Sequence, residues 1–154
     1  MFEWLETTPV AMWVGVSLWA YPFLLSLHAI GLAVVVGIFS VRDMRLLGLF
    51  PGLSPAAFLP ISKLAWGGFV VNAGSGLLLF SSQAVTFAES IPFYIKIGAI
   101  LIAMVLAGII QTRLRNELAE QETLVVANPT RLIAGLSLCT WAVAIIAGRL
   151  MAYL

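Results

Sequence analysis

Charge is what this chain mostly does without. Only 10% of its 154 residues are charged, where a water-soluble domain carries about a quarter. From Val10 to Val41 there is no Asp, Glu, Lys or Arg, a run of 32 residues. Too little polar surface remains to coat a globule in water, which excludes a soluble enzyme or soluble binding domain. The net charge of +1 gives no electrostatic basis for binding nucleic acid.

Cysteine and histidine each occur once, at Cys139 and His28. A lone cysteine excludes an internal disulfide, and one Cys with one His excludes a Cys/His zinc cluster within one chain. No Walker A lysine-serine pair, no GxSxG and no HExxH is present, so the signatures of soluble nucleotide, serine and zinc hydrolases are missing. Gly74-Ser75-Gly76 lies inside an apolar run and reads as helix packing. The N-terminal MFEWLETTPV carries two acids and no Lys or Arg. It lacks the positive start of a signal peptide, and the segment is expected to stay attached.

What the chain has instead is apolar length. It is 62% hydrophobic with a mean hydropathy of +1.07. Runs of about 20 apolar residues mark membrane-spanning helices. Four are expected: Tyr21 to Val41, Ile61 to Gln83, Pro92 to Thr112, and Arg131 to Leu150. Pro22 suits a first helical turn. The first span should continue as helix through Arg42, Asp43 and Arg45 to Gly48, before Pro51-Gly52-Leu53-Ser54-Pro55 breaks it. The segment Arg113 to Val126 alternates charge and reads as a cytoplasmic extension of span three. Thr130 or Asn128 is the expected cap of span four. Residues 1–20, broken at Pro9 and bearing Trp4, Trp13 and Trp19, read as an interfacial segment, since tryptophan favours the headgroup zone. The fold expected is therefore all-α: an integral membrane four-helix bundle over residues 21–154 with an N-terminal interfacial helix over 1–20.

Arg42, Arg45 and Lys63 flank one loop, and Arg113, Arg115 and Arg131 flank another on the same side. Lys96 and Arg149 lie on the opposite side. The positive-inside rule then places both termini outside. Lipid provides no hydrophobic drive between helices, so small residues must let the backbones approach. Three stripes offer this: Gly68, Asn72 and Gly76; Ala99, Ala103 and Ala107, ending at Gln111; and Gly135, Cys139 and Ala142. Four short helices with several such faces also point to a homo-oligomer or a partner in a membrane complex.

The candidate site centres on His28, an ionisable ring in hydrocarbon. It sits roughly 10 Å below the outer edge of span one, with Lys96 roughly 6 Å deep on span three. Arg149 near the end of span four, and Asn72, are expected to join them in the outer half of the bundle. A neutral imidazole is a good ligand for iron or copper. Lys96 and Arg149 can bind propionates, a quinone oxygen or a lipid phosphate. The competing reading makes His28 packing glue to a carbonyl or to Asn72, with Lys96 and Arg149 snorkelling to headgroups and no cofactor bound. Haem b needs a second axial ligand, from Met104 or from the His28 of a second copy, or it stays five-coordinate. Asp43, about 22 Å along the axis from His28, cannot touch it. With Arg42 and Arg45 it reads as a loop-fixing ion cluster reaching Arg113 or Lys63.

Several strings carry a family resemblance: Ser17-Leu18-Trp19-Ala20-Tyr21-Pro22, Leu27-His28-Ala29-Ile30-Gly31 and Asp43-Met44-Arg45-Leu46-Leu47-Gly48. Trp66-Gly67-Gly68-Phe69, Ser75-Gly76-Leu77-Leu78-Leu79-Phe80 and Phe93-Tyr94-Ile95-Lys96 extend it. Over most of residues 17 to 112 the chain resembles a bacterial family of small inner-membrane proteins of unknown function. More loosely it is similar to the copper-resistance D membrane domain and to four-helix b-type cytochromes. The resemblance implies a bacterial inner-membrane location and, through the cytochromes, haem held by histidines on facing helices. The family often has a further histidine near the inner end of span three, where this chain reads Gln111-Thr112-Arg113. Three functions follow as alternatives: a haem-bearing electron-transfer subunit, a non-catalytic scaffold or subunit, and a small metal or ion carrier.

Overall fold

The structure, a computed structural model, describes residues 2–120, 126–151 and 153. Its elements are α1 (Glu3–Glu6), α2 (Pro9–Val16), α3 (Ala20–Leu46), a 3-10 turn (Pro55–Ala57), α4 (Phe58–Ser82), α5 (Ala84–Glu89), α6 (Ile91–Glu120) and α7 (Asn128–Leu150). No strand occurs among the described residues. The long helices α3, α4, α6 and α7 are each long and apolar enough to cross a membrane. The chain is an all-α, multi-pass membrane protein built as a four-helix bundle.

Local chemistry sets the helix ends. Thr8 accepts the Ala11 N–H at 3.3 Å, with Pro9 in the first turn, and so starts α2. Ser17 Oγ accepts the Ala20 N–H at 3.2 Å and separates α2 from α3. Residues 2–19 therefore hold two short helices and not one. They are docked on the bundle: Ala11 and Val14 are buried, and Val14 packs with Leu24 and Leu79. Glu6 accepts the Val85 N–H at 2.9 Å at the start of α5. Trp4, Trp13 and Trp19 all remain exposed. At the far end of α3, Gly48 takes a φ of 104°, a left-handed conformation that glycine adopts without a Cβ penalty.

The third span runs unbroken to Glu120, as its charged tail suggested. Thirty residues span about 45 Å, longer than the roughly 30 Å hydrocarbon core of a bilayer. The expected cap of α7 is not found. Ala127 occupies the cap position with no side-chain bond. Thr130 is instead buried and donates to Glu117 of α6 at 2.9 Å. A hydroxyl facing a neighbouring helix in an apolar setting gains more from that carboxylate than from its own first turn. The segment 121–125, part of the expected cytoplasmic extension, lies outside the described residues.

Two hairpins make the bundle, α3 with α4 and α6 with α7, joined chiefly where α3 meets α7. One core layer draws on all four long helices: Val35, Phe39, Ala65, Ala103, Met104, Ala107 and Trp141. A second, nearer the interhelix loops, holds Leu46, Ile110, Leu114 and Ala134. The alanine stripe of α6 is buried as expected. The stripe expected on α7 is not: Cys139 and Ala142 are exposed. The buried face of α7 runs Thr130, Ala134, Ser137, Trp141, Ala144 and Ala147. Here the large apolar area of one indole outweighs the close approach that smaller residues offer.

Candidate functional site

Glycine lets α3 and α4 cross closely. A Cβ on Gly31 would lie 2.8 Å from the Asn72 backbone nitrogen and 2.9 Å from the Gly68 carbonyl oxygen. Those are backbone atoms that cannot move aside. One on Gly76 would lie 2.9 Å from Cε1 of His28. The missing side chains leave the space in which the His28 ring lies against α4.

Polar bonds then lock the crossing. His28 Nδ1 is 2.8 Å from the Asn72 backbone carbonyl oxygen. A carbonyl oxygen only accepts, so Nδ1 carries the proton and donates. The Asn72 side-chain amide donates to the His28 carbonyl at 2.8 Å. Ser75 Oγ lies 3.3 Å from Nδ1 and gives its hydrogen to the Val71 carbonyl at 2.6 Å. With the tautomer set this way, Nε2 holds the ring's lone pair. No hydrogen bond to Nε2 is found among the described residues. The ring is half-buried, while Asn72 and Ser75 are buried.

Of the four residues singled out from the sequence, the structure brings two into contact and a third nearby. Lys96 lies within Coulombic range of His28. Its stem packs by Gly148 of α7, 3.4 Å from where a Cβ would stand. Arg149 takes a different course. It is exposed, donates to the Tyr153 hydroxyl at 2.9 Å and lies over that ring. No contact joins it to His28 among the described residues. Met104 is buried in the layer with Val35 and Phe39, two turns of α3 beyond His28. Two shallow surface grooves, one bounded by Leu47, Arg131 and Gly135 and the other by Ile95, Val143 and Ile146, do not include His28.

A second polar centre lies deeper. Arg42 and Asp43 were expected to hold the loop through Arg113 or Lys63. Both are instead fully buried inside the bundle. Arg42 Nε donates to Asp43 Oδ1 at 2.9 Å, and Nη2 lies 2.7 Å from the same oxygen. Nη1 donates to the Ala107 carbonyl of α6 at 3.3 Å, and the guanidinium lies 4.7 Å from the Phe39 ring centroid. Helical phase explains the placement. Leu24, His28, Gly31, Val35, Phe39, Arg42 and Leu46 recur every three or four residues, so the face that carries His28 inward also carries Arg42. That phase is legible in the sequence itself. Nearer the loops, Ser62 donates to Gln111 at 2.7 Å, tying α4 to α6. Gln111 thus serves as a packing partner between α4 and α6.

Compared with known proteins, the chain matches no family model, no curated protein and no solved structure.

Proposed function

We propose that this membrane protein is a haem b-binding redox subunit of a bacterial inner membrane, with His28 as an axial ligand. One observation carries the reading: Nδ1–H is committed to the Asn72 carbonyl, which leaves a lone pair on Nε2 with no hydrogen-bond partner among the described residues. Metal-ligating histidines nearly always have the other ring nitrogen held by a carbonyl or carboxylate, which fixes the ring and raises its basicity. The neighbouring groups fit the cofactor at one end. Haem supplies one-electron chemistry when bound. In this chain His28 would hold the iron, Asn72 and Ser75 would keep the ring from rotating, and Lys96 would pair with a propionate.

The chain has no second histidine. A half-buried ring at the surface of the bundle can instead face its symmetry mate, so the second ligand is assigned to the His28 of a second copy. Excess Lys and Arg at the interhelix loops supports termini on the outer side. The runner-up is a non-catalytic subunit, favoured by how fully Asn72 and Ser75 integrate His28 without any ligand.

The test is the visible spectrum of protein purified in mild detergent from native membranes, with haem quantified against protein. A Soret band at one haem per two chains, lost in His28→Ala and kept in Gly37→Ala, is the expected result. A colourless protein overturns the haem reading and leaves the non-catalytic one standing, and colour that survives His28→Ala removes His28 as the ligand.

A further inference from the structure

Helix α7 carries two stripes. One, running from Thr130 to Ala147, is the buried face that packs in the bundle. The other, Asn128, Arg131, Leu132, Gly135 and Leu136, recurs every three or four residues and lines an open groove together with Leu47 at the end of α3. The groove has a volume of about 440 Å³, within the range of sites that take small organic ligands.

Polarity in this groove changes along its length. Leu47, Leu132 and Leu136 are exposed hydrophobic side chains. Gly135 adds none: a Cβ there would meet only Leu47 Cδ2, at 4.0 Å. At the loop end stand Asn128 and Arg131. Arg131 is exposed, and its guanidinium makes no ion pair or hydrogen bond among the described residues. Glu117 of α6 is taken by Thr130, on the buried stripe.

Length sets the level of the groove in the bilayer. The 23 residues of α7 reach about 35 Å at 1.5 Å per residue, against about 30 Å for the hydrocarbon core. The first turn, with Asn128 and Arg131, therefore belongs near the headgroups, and Leu132, Gly135 and Leu136 lead from there into hydrocarbon. A cation followed by an apolar slot matches a lipid rather than a free phosphate. Arginine holds phosphate oxygens through paired N–H donors, and the leucines face an acyl chain. A zwitterionic headgroup brings its own cation and cancels part of that attraction, whereas an anionic one keeps it. We propose that this groove binds one anionic phospholipid, its phosphate held by Arg131 and Asn128 and one acyl chain laid between Leu47 and Gly135. The site is separate from His28 and does not depend on what that residue binds.

Native mass spectrometry of the full chain, released from detergent and titrated with phosphatidylglycerol or with phosphatidylcholine of the same acyl chains, tests this. One phosphatidylglycerol per chain is expected to bind about five-fold more tightly than phosphatidylcholine, the worth of a single arginine beside anionic lipid. Arg131→Gln should abolish that preference. Arg115→Gln removes an exposed arginine of α6 that does not line the groove, and should keep it. Gly135→Phe fills the slot and should lose the one-to-one adduct with either lipid. Equal binding of the two lipids, an equal drop in Arg115→Gln and Arg131→Gln, or an undiminished adduct in Gly135→Phe would overturn the proposal. Should Gly135→Phe fail to fold, photo-crosslinking of the unaltered protein decides, using phosphatidylglycerol with a diazirine on its acyl chain. Label on Leu132, Leu136 or Leu47 supports the groove, and label only elsewhere removes it.

Discussion

The two ends of the α3 stripe are held by opposite means. Around His28, α3 meets α4 through missing atoms: Gly31, Gly68 and Gly76 bring the backbones together, and neutral hydrogen bonds fasten them. Around Arg42, α3 meets α6 and α7 through large groups, a guanidinium, a phenyl ring and an indole, with two full charges among them. The contrast teaches how a chain with little apolar driving force between helices makes specific contacts. A glycine crossing needs no charge, because the helix backbones themselves come within reach of each other's polar groups. Helices spaced by aromatic rings cannot do this, and long polar side chains bridge the gap instead.

The largest expected effect tests the charged end. Asp43→Ala leaves Arg42 buried and unpaired, and should cost about 3–5 kcal/mol, enough to lose the folded bundle in a detergent-resistance or thermal melt. Replacing both members, Arg42→Met with Asp43→Leu, should restore most of that loss. If the double variant is as unstable as the single, the pair does more than neutralise itself.

Next comes the glycine end. Gly31→Ala drives a methyl into the Asn72 nitrogen and the Gly68 carbonyl, and a loss of about 1–3 kcal/mol is expected from overpacking. An unchanged melting temperature would show that α3 and α4 are spaced more widely than described. Asn72→Ala removes the amide's bond to His28 but keeps the glycine contacts. Its expected cost is smaller, about 0.6–1.7 kcal/mol, and a double-mutant cycle with His28→Ala should show little coupling, because each side chain bonds the other residue's backbone carbonyl, which alanine retains. The smallest effect sharpens the comparison from outside it. A Cβ on Gly37 meets nothing within 4 Å, so Gly37→Ala should leave the melt unchanged or raise stability by up to about 1 kcal/mol through helix propensity.

Much of this arrangement was legible in residue order. The charge-free run through His28, the breaks at Pro51 to Pro55 and the turn before Pro92 mark the helices to within a few residues. The alanine stripe of α6 and the pairing of His28 with Asn72 also followed from spacing and chemistry. Other features did not. Cys139 and Ala142 are small, yet they face outward because Trp141 claims the interior. Arg149 sits at the right depth to meet Lys96, but its guanidinium turns to Tyr153.

By itself the sequence determined a membrane chain of four long helices with one imidazole among them, because lipid sorts residues by polarity and length alone, and both can be read one residue at a time. Tertiary structure alone decided that Arg42 and Asp43 belong to the interior and that Nδ1 of His28 is the protonated nitrogen. Those outcomes depend on the rotation of each helix about its axis and on which neighbour it meets, a choice made by packing between segments far apart in the chain.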